Sequence, residues 1–357
     1  MNGRFVSLYL EQSDWVLKDA ASQIPNIIHE EAKTSRISQL EHIEIPTPFG
    51  IGTVNCYLLD EEELTLIDPG PATEASFAAI EEVLNRLGHD AADIENILVT
   101  HAHIDHYGSV RQLKDQSGAS VFAHERASRI LADPVEHFEC ERAFFTPHLM
   151  SMGVPERMAM AATSVPEPYF AFQEPVTVDR ELADSDHIDV GPELAAVHTP
   201  GHSQGSICFA APADGYVFAG AHLLNDITPN PSFSVVVGPD TARTRGLPVY
   251  MASLGKLRSL ALETGYAGHG DIITDVETRI NETLAHHRER KEDVADILAD
   301  SGPMTPYAIM LEMFSQLPAT ELFLGMSEVI GHLDLLEDED RIVIVEADDV
   351  SQYRLRE

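Results

Sequence analysis

The stretch His101-Ala102-His103-Ile104-Asp105-His106 follows directly after the apolar run Ile97-Leu98-Val99. Imidazole and carboxylate groups are ligands that zinc prefers, and a segment leaving a strand for a loop can turn neighbouring side chains towards one or two ions. A helix could not place all four side chains so closely. A solvated histidine-rich turn is the alternative, although this order should arise by chance in only about a few per thousand chains. The stretch therefore predicts a metal centre and favours a metal-dependent hydrolase.

Three further motifs accompany this stretch. They are Asp68 within LIDPG, His202 within TPGHS followed by a Gly-Ser pair, and His269 within AGHG. Taken alone, a histidine beside a glycine turn is more often a hydrogen-bonded structural residue than a ligand. Together with His-x-His-x-Asp-His, however, the order of the motifs across residues 43–275 resembles that of the metallo-β-lactamase superfamily. The agreement of four motifs is much more specific than any one of them.

The resemblance implies two divalent metal ions, each with three protein ligands. The first ion would be held by His101, His103 and His202, and the second by Asp105, His106 and His269. Three ligands per ion leave positions for water and substrate, as in catalytic zinc sites. Two ions about 3.5–4 Å apart lower the pKa of a water between them and polarise the bond under attack. Zinc is the first expectation, and iron and manganese tolerate the same donors.

The chain departs from the resemblance at Ala221. Many members have Gly-Asp here, with an aspartate that bridges both metals, but this chain reads Gly220-Ala221-His222. Losing that carboxylate removes a charge that offsets two cations, so we expect one ion to bind less tightly. His222 or Asp226 could replace the missing ligand, or His222 could only pack near the site. A third alternative is that alanine is an inactivating replacement of a natural aspartate.

Length, hydropathy and cysteine content limit the class of protein. A chain of 357 residues with 44% apolar content favours more than one domain. We expect neither a signal peptide nor a membrane anchor, because no apolar run is long enough. The three cysteines, Cys56, Cys140 and Cys208, are widely spaced and odd in number, which favours a reducing cytoplasm.

The charge balance disfavours polyanionic partners. The chain has 59 acidic and 23 basic residues, a formal charge of −36, so nucleic acid is not an expected partner. Only five of the basic residues are lysines. An acidic, lysine-poor surface is typical of proteins from salt-loving organisms, and a merely acidic protein from an arginine-biased genome is the alternative.

The body of the chain reads as alternating strands and helices. Residues 1–42 form an extension of unknown role, with helical candidates at 15–21 and 27–32. Apolar runs at 54–59 and 64–67 predict a hairpin, residues 75–87 and 107–116 predict helices, and 94–99 and 120–123 predict strands. The alternation resumes from residue 194. The fold class is α/β, and the resemblance implies an αββα sandwich over residues 43–283 with the metals at the open edge of its sheets.

Residues 125–175 read as a helical insertion into this body. They are rich in methionine and aromatic residues at helical spacing. Methionine and flat rings make an adaptable apolar surface, so a lid over the substrate is one interpretation. A helical insertion that packs onto the body is at least as good an interpretation.

Residues 284–357 read as a separate module. Helices are predicted at 284–298, from Thr305 as N-cap to 317, and at 319–336, followed by a hairpin of residues 341–345 and 353–355 across Asp348-Asp349. Three helices and a hairpin resemble a winged helix. Residues 287–357 contain 17 acidic and 6 basic side chains, which would repel DNA. We expect packing or homodimerisation instead, and relatives of the glyoxalase-II type resemble this organisation most.

The predicted activity is hydrolysis of a carbonyl ester, thioester or lactone of a small acyl compound by metal-activated hydroxide, with Asp105 orienting the nucleophile. A thioester such as an acyl-glutathione or acyl-CoA is the first expectation, because the subgroup resemblance points there and the fold alone says little about substrate. A phosphodiesterase or ribonuclease on the same centre is one alternative. A metal-binding protein weakened by the missing bridge at Ala221 is another.

Overall fold

Two β-sheets stacked face to face form the centre of the molecule. The computed structural model describes residues 39–165, 167–236, 242–315, 317–347 and 350–357. Most of the predicted extension 1–42, including both of its helical candidates, lies outside the described residues. Residues 40–42 belong to the first strand, so the β-structure begins three residues earlier than the sequence pattern indicated.

The first sheet has six strands in sequential order. They are β1 (Leu40–Pro46), β2 (Thr53–Leu59), β3 (Thr65–Ile67), β4 (Asn96–Leu98), β5 (Ser120–His124) and β6 (Arg180–Leu182). The first three strands pair antiparallel, which confirms the predicted hairpin, and β3 to β6 pair parallel. Parallel pairing places the carboxyl ends of β3 and β4 at the same edge of the sheet.

The second sheet has five strands. They are β7 (His187–Asp189), β8 (Glu193–His198), β9 (Ile207–Ala211), β10 (Tyr216–Gly220) and β13 (Thr264–Ala267). Their order across the sheet is β13-β10-β9-β8-β7. Strands β7 to β10 form an antiparallel meander, so the alternation with helices predicted from residue 194 is wrong for this part. Short turns leave no room for helices here. A pair of two-residue strands, β11 (Val235–Val236) and β12 (Ala242–Arg243), lies outside both sheets.

Helices cover the outer faces of both sheets and complete the predicted αββα sandwich. Helix α1 (Glu74–Leu87) is capped by Thr73, whose hydroxyl accepts from the Ser76 amide. Together with α2 (Ile104–Tyr107) and α3 (Val110–Ser117) it covers the first sheet. The helix predicted at 107–116 is α3, which begins three residues later, after the one-turn helix α2. Helices α7 (Gly246–Arg258) and α8 (Val276–Ser301) cover the second sheet. A layer of buried side chains that includes Tyr57, Leu98 and Phe209 fills the space between the sheets.

The insertion is helical, as predicted. It contains α4 (Glu125–Ala132), α5 (Pro134–Ser151), α6 (Glu156–Ala162) and a 3₁₀ turn (Glu167–Phe172). Buried side chains of this region, such as Phe145 and Leu149, share one apolar cluster with Leu298 and Ile309 of the C-terminal region. The packing interpretation therefore describes this insertion.

The C-terminal region begins with the long helix α8, which starts at Val276 rather than at residue 284. Asp275 caps it by accepting from the amide of Thr278, and the predicted boundary at 284 falls inside this continuous helix. Next come α9 (Pro306–Met313), capped by Thr305 as predicted and four residues shorter, a 3₁₀ turn (Ala319–Glu321) and α10 (Leu322–Asp338). Strands β14 (Ile342–Ala347) and β15 (Val350–Leu355) form the predicted hairpin, whose turn lies outside the described residues.

Candidate metal centre

The predicted site residues meet at one edge of the sandwich. Asp68 follows β3, the stretch His101–His106 follows β4, His202 lies between β8 and β9, and His269 follows β13. Only the beginning of the stretch is loop, because Ile104 starts the one-turn helix α2. Asp105 and His106 therefore approach the centre from a helical turn, which the sequence interpretation had excluded for the stretch.

The first group of ligand atoms comes from His101, His103 and His202. Nδ1 of His103 lies 3.0 Å from Nε2 of His101 and 3.1 Å from Nε2 of His202. The candidate ligand atoms of these three residues lie within 4.8 Å of one another. The segment after β4 and the loop between β8 and β9 thus place three imidazoles around one position.

The second group comes from Asp105, His106 and His269. Nε2 of His269 lies 3.1 Å from Nε2 of His106 and 3.4 Å from the Asp105 carboxylate. The separation between the Asp105 carboxylate and Nε2 of His106 is 3.8 Å. The structure therefore brings all six predicted residues together as two groups of three.

In four of these five histidines the ring nitrogen that points away from the centre, Nδ1, contacts a hydrogen-bond acceptor. The Nδ1 atoms contact the Thr100 hydroxyl (His101, 3.0 Å), the Asp68 carboxylate (His106, 2.8 Å), the Asn230 carbonyl (His202, 3.2 Å) and the Thr53 carbonyl (His269, 2.7 Å). The Thr100 hydroxyl donates to Asp68, so its oxygen is available to accept. Each Nδ1 therefore carries the hydrogen, and each Nε2 presents a lone pair to the centre.

This arrangement fits divalent cations. Nε2 of His106 lies 3.1 Å from Nε2 of His269. When both rings are neutral with the hydrogen on Nδ1, two lone pairs face each other at this distance, which is repulsive unless a cation lies between them. Two nitrogens on one tetrahedral zinc ion lie about 3.3 Å apart when each bond is about 2.0–2.1 Å. The nitrogen separations of both groups are close to that value, so the residues present are those a metal pair would require.

The electrostatics favour the protonation states that ligands need. Burial lowers the pKa of His101 and of His202 well below the usual value, and neighbouring imidazoles lower it further. Burial alone would raise the pKa of Asp105, but His106 and His269 outweigh it and hold the pKa below its usual value. The centre thus combines neutral imidazoles at His101 and His202 with an ionised Asp105, as metal binding demands. Burial would lower the pKa of His106, but the Asp105 and Asp68 carboxylates outweigh it and raise that pKa.

Ala221, where the resemblance places a bridging carboxylate, lies beside the centre. It is 4% exposed and lines the same cavity as five of the six residues, all except His101. His222 is buried against Tyr250, whose hydroxyl donates to the His222 carbonyl. Asp226 is exposed, and Asn225 donates to it. Among the described residues, neither His222 nor Asp226 joins either group of ligand atoms.

A cavity of about 310 Å³ opens onto the centre. Part of its apolar wall comes from the sandwich, with Ile51, Leu224 and Ile227, and part from the C-terminal region, with Phe314 and Leu317. The described residues of the insertion 125–175 do not line it, which removes the basis for the predicted lid. The C-terminal region therefore does more than pack against the body, because it forms a wall of the cavity.

Comparison with known proteins identifies the family of this chain. The family model of the metallo-beta-lactamase superfamily matches residues 49–269. The chain belongs to this superfamily. It is similar to the "Probable metallo-hydrolase YqjP" of Bacillus subtilis, with 32% identity over 300 residues, 84% of this chain and 92% of that protein. The protein is accordingly a metallo-hydrolase, and its described residues include clusters that could bind metal.

Two further relatives extend the comparison. The crystal structure of a metallo-beta-lactamase family protein from Thermus thermophilus superposes with a TM-score of 0.75 and 28% identity, covering 90% of this chain and all of that one. An atrochrysone carboxyl ACP thioesterase of Aspergillus fumigatus is 26% identical over 224 residues, 59% of this chain and 64% of that protein.

Several functional residues were not singled out from the sequence. Asp68 was matched to a motif without a role, although its position directly after an apolar strand was a usable signal. The carbonyls of Thr53 and Asn230 left no signal, because any residue supplies a carbonyl. The pair His286-His287 also lines the cavity, but in the sequence it lies within a charged amphipathic helix, a pattern that predicts a solvated face rather than a site.

Proposed function

We propose that the protein hydrolyses a carbonyl ester, thioester or lactone of a small acyl compound, with a thioester as the first choice. The observation that carries the proposal is the pairing of two three-residue ligand groups whose nitrogen lone pairs face one another at one end of a largely apolar cavity. Such a centre needs no nucleophilic side chain. We assign the six residues His101, His103, Asp105, His106, His202 and His269 as ligands of two divalent cations, zinc in the first instance.

Two bound cations would make water acidic enough to ionise near neutral pH and would polarise the carbonyl under attack. The chain's own residues determine where this happens. Asp68 and Thr100 fix the rings of His106 and His101, so the site does not reorganise when charge develops. Asp105 accepts a hydrogen bond from the attacking water and orients it. In the net reaction a C–O bond forms, the C–S bond breaks, and the thiol leaves with a proton.

Three features support an acyl substrate. The cavity has apolar walls that suit an acyl chain, with Leu224 and Phe314 among them. The relative from Aspergillus fumigatus named as an ACP thioesterase aligns with 59% of this chain at 26% identity. The formal charge of −36 opposes a polyanionic substrate such as RNA.

We further propose a glyoxalase-II-like organisation. The sandwich would occupy residues 43–283, with the insertion 125–175, and a winged-helix-like module would occupy residues 284–357. Three helices, α8 to α10, followed by the hairpin β14–β15 support the last assignment. The continuity of α8 across residue 284 supports close coupling of the two parts.

The test is a metal count combined with a hydrolysis panel. We expect about two equivalents of zinc, loss of activity on chelation, and recovery on adding zinc back. Thioesters should be cleaved faster than lactones and much faster than bis(p-nitrophenyl) phosphate. Asp105→Asn should abolish turnover, whereas Asp189→Asn, on the exposed face of β7, serves as the matched control. Phosphodiester cleavage exceeding thioester cleavage would overturn the substrate class, and a metal-free active protein would overturn the centre.

A further inference from the structure

A second polar cluster lines the same cavity. His286 and His287 come from α8 and Glu328 comes from α10, and their candidate ligand atoms lie within 4.8 Å of one another. Arg290, one turn beyond His286, lines the cavity with them. None of these four residues belongs to the metal centre.

His287 is the member of this cluster whose polar atoms need a partner. It is 1% exposed, it lines the cavity, and neither of its ring nitrogens has a hydrogen-bond partner. Burial lowers the pKa of His287 to about 3, so the ring is neutral. A neutral imidazole has one donor and one acceptor in either tautomer, and leaving both unused in a buried position is unfavourable.

The charges around His287 decide what kind of group would suit it. Burial would raise the pKa of Glu328, but the surrounding basic groups, with His332 first among them, lower it below its usual value. The carboxylate is therefore ionised. Arg290 is close enough to influence both His287 and Glu328. An anionic ligand would be repelled by Glu328, and a divalent cation would be repelled by Arg290. A neutral group with one donor and one acceptor meets neither objection.

We propose that His287 and Glu328 form an amide subsite, which binds a secondary amide in the thiol arm of the thioester substrate. The amide N–H donates to the Glu328 carboxylate, and the amide carbonyl accepts from the His287 ring. This inference rests on the proposed thioesterase function. Pantetheine and glutathione are the two common thiols that carry such amides, and the net acidity of the protein favours the uncharged arm of pantetheine.

Matched substrates test the subsite. One acyl group is placed on N-acetylcysteamine, on an alkanethiol of equal length without the amide, and on glutathione. For the unaltered protein we expect kcat/KM to be about tenfold higher with N-acetylcysteamine than with the alkanethiol, the effect of one hydrogen bond to a charged group. Faster cleavage of the glutathione thioester than of the N-acetylcysteamine thioester would identify glutathione as the source of the amide.

Variants of Glu328 then assign the preference to this cluster. Glu328→Leu should reduce the tenfold ratio to about one, and Glu328→Gln, which keeps an acceptor oxygen, should give an intermediate ratio. Glu337→Gln, on the exposed part of the same helix, should leave the ratio unchanged. Circular dichroism and the melting temperature show whether each variant is folded. A folded Glu328→Leu protein with the original ratio would overturn the proposal.

A binding measurement separates this inference from the proposed function. N-butylacetamide should shift the ring ¹⁵N resonances of His287, assigned by their loss in His287→Phe, even if no thioester is cleaved. Cleavage of thioesters with neither an amide preference nor this shift would refute the subsite alone. Binding of a third equivalent of zinc that is lost in Glu328→Gln would assign the cluster to a cation and also overturn the proposal.

Discussion

Replacing Asp68 should show whether this residue orients the metal ligands or only stabilises the fold. Its carboxylate is 2% exposed and accepts three hydrogen bonds, from the Thr100 amide at 2.8 Å, the Thr100 hydroxyl at 2.5 Å and Nδ1 of His106 at 2.8 Å. Asp68→Asn keeps the size of the side chain. The backbone at this position has φ of 52°, a left-handed conformation that asparagine also tolerates. The substitution therefore changes the hydrogen bonding without adding backbone strain.

The structure gives the size of the effect. In the Asp68→Asn variant the Thr100 amide can still donate to the remaining side-chain oxygen, but the new NH₂ group faces Nδ1 of His106 and the Thr100 hydroxyl, both of which are donors. Loss of about two buried hydrogen bonds should lower the free energy of unfolding by about 3 kcal/mol. His106 should also move its hydrogen to Nε2, where it blocks the lone pair, so the affinity of the second ion should fall about 10- to 100-fold.

The assay is a titration of the metal-free protein with zinc against a chromophoric chelator, which resolves two binding steps. We expect Asp68→Asn to weaken mainly one of them, whereas the control Asp189→Asn should leave both steps unchanged. Urea unfolding of the same samples gives the stability. If stability falls but both zinc affinities stay within about twofold of the original, Asp68 is a packing residue and the tautomer argument is refuted.

Three other substitutions have clear expectations. Ala221→Asp should raise the affinity for the weaker ion by about tenfold or more, because it adds a carboxylate beside two cations, and an unchanged zinc titration would contradict this. The side chain of Asp334 is 3% exposed and forms a bidentate ion pair with Arg243. Asp334→Ala should therefore lower the free energy of unfolding, measured in urea, by about 3 kcal/mol. The exposed Asp338→Ala should lower it by less than about 1 kcal/mol. The pKa of His124 is lowered to about 4, mainly by burial and further by His198 and Arg126. The unfolded chain therefore takes up a proton near pH 6.5 that the folded chain takes up only near 4, and stability is lost as pH falls between these values. Asparagine keeps the N-cap role of His124 without titrating, so His124→Asn should flatten the dependence of melting temperature on pH between 7 and 5, and an unchanged slope would contradict the assignment.

The metal centre was largely predictable because its ligands lie in short motifs. His101 and His103 follow directly after a strand, and the order of the later motifs related them to His202 and His269, which lie far along the chain. What could not be predicted is the support around them. The carbonyl of Thr53 holds His269, but a carbonyl is present on every residue, and only the fold determines which one lies within hydrogen-bond distance.

The partners of the helices were harder to predict than the helices themselves. Apolar spacing in residues 125–175 indicates an amphipathic helix but does not say which surface it covers. The structure places Phe145 of α5 in one apolar cluster with Leu298 of α8 and Ile309 of α9, an arrangement that depends on the whole topology. The sequence pattern does not predict the start of α8 at Val276, because the first two turns carry several charged side chains. A charged exposed face resembles a loop when the buried face is not known.

The division of the cavity between two parts of the chain has a consequence for specificity. The sandwich edge supplies the six candidate ligands, whereas Phe314, Leu317 and the proposed amide subsite come from the C-terminal region. Side chains that contact the unreactive part of a substrate stabilise its ground state and transition state about equally, so their loss raises KM and leaves kcat nearly constant. Loss of a ligand at the centre removes stabilisation of the transition state and lowers kcat. Phe314→Ala should therefore change which thioesters bind without changing the chemistry, and a fall in kcat with constant KM would show that the wall also acts on the reacting atoms.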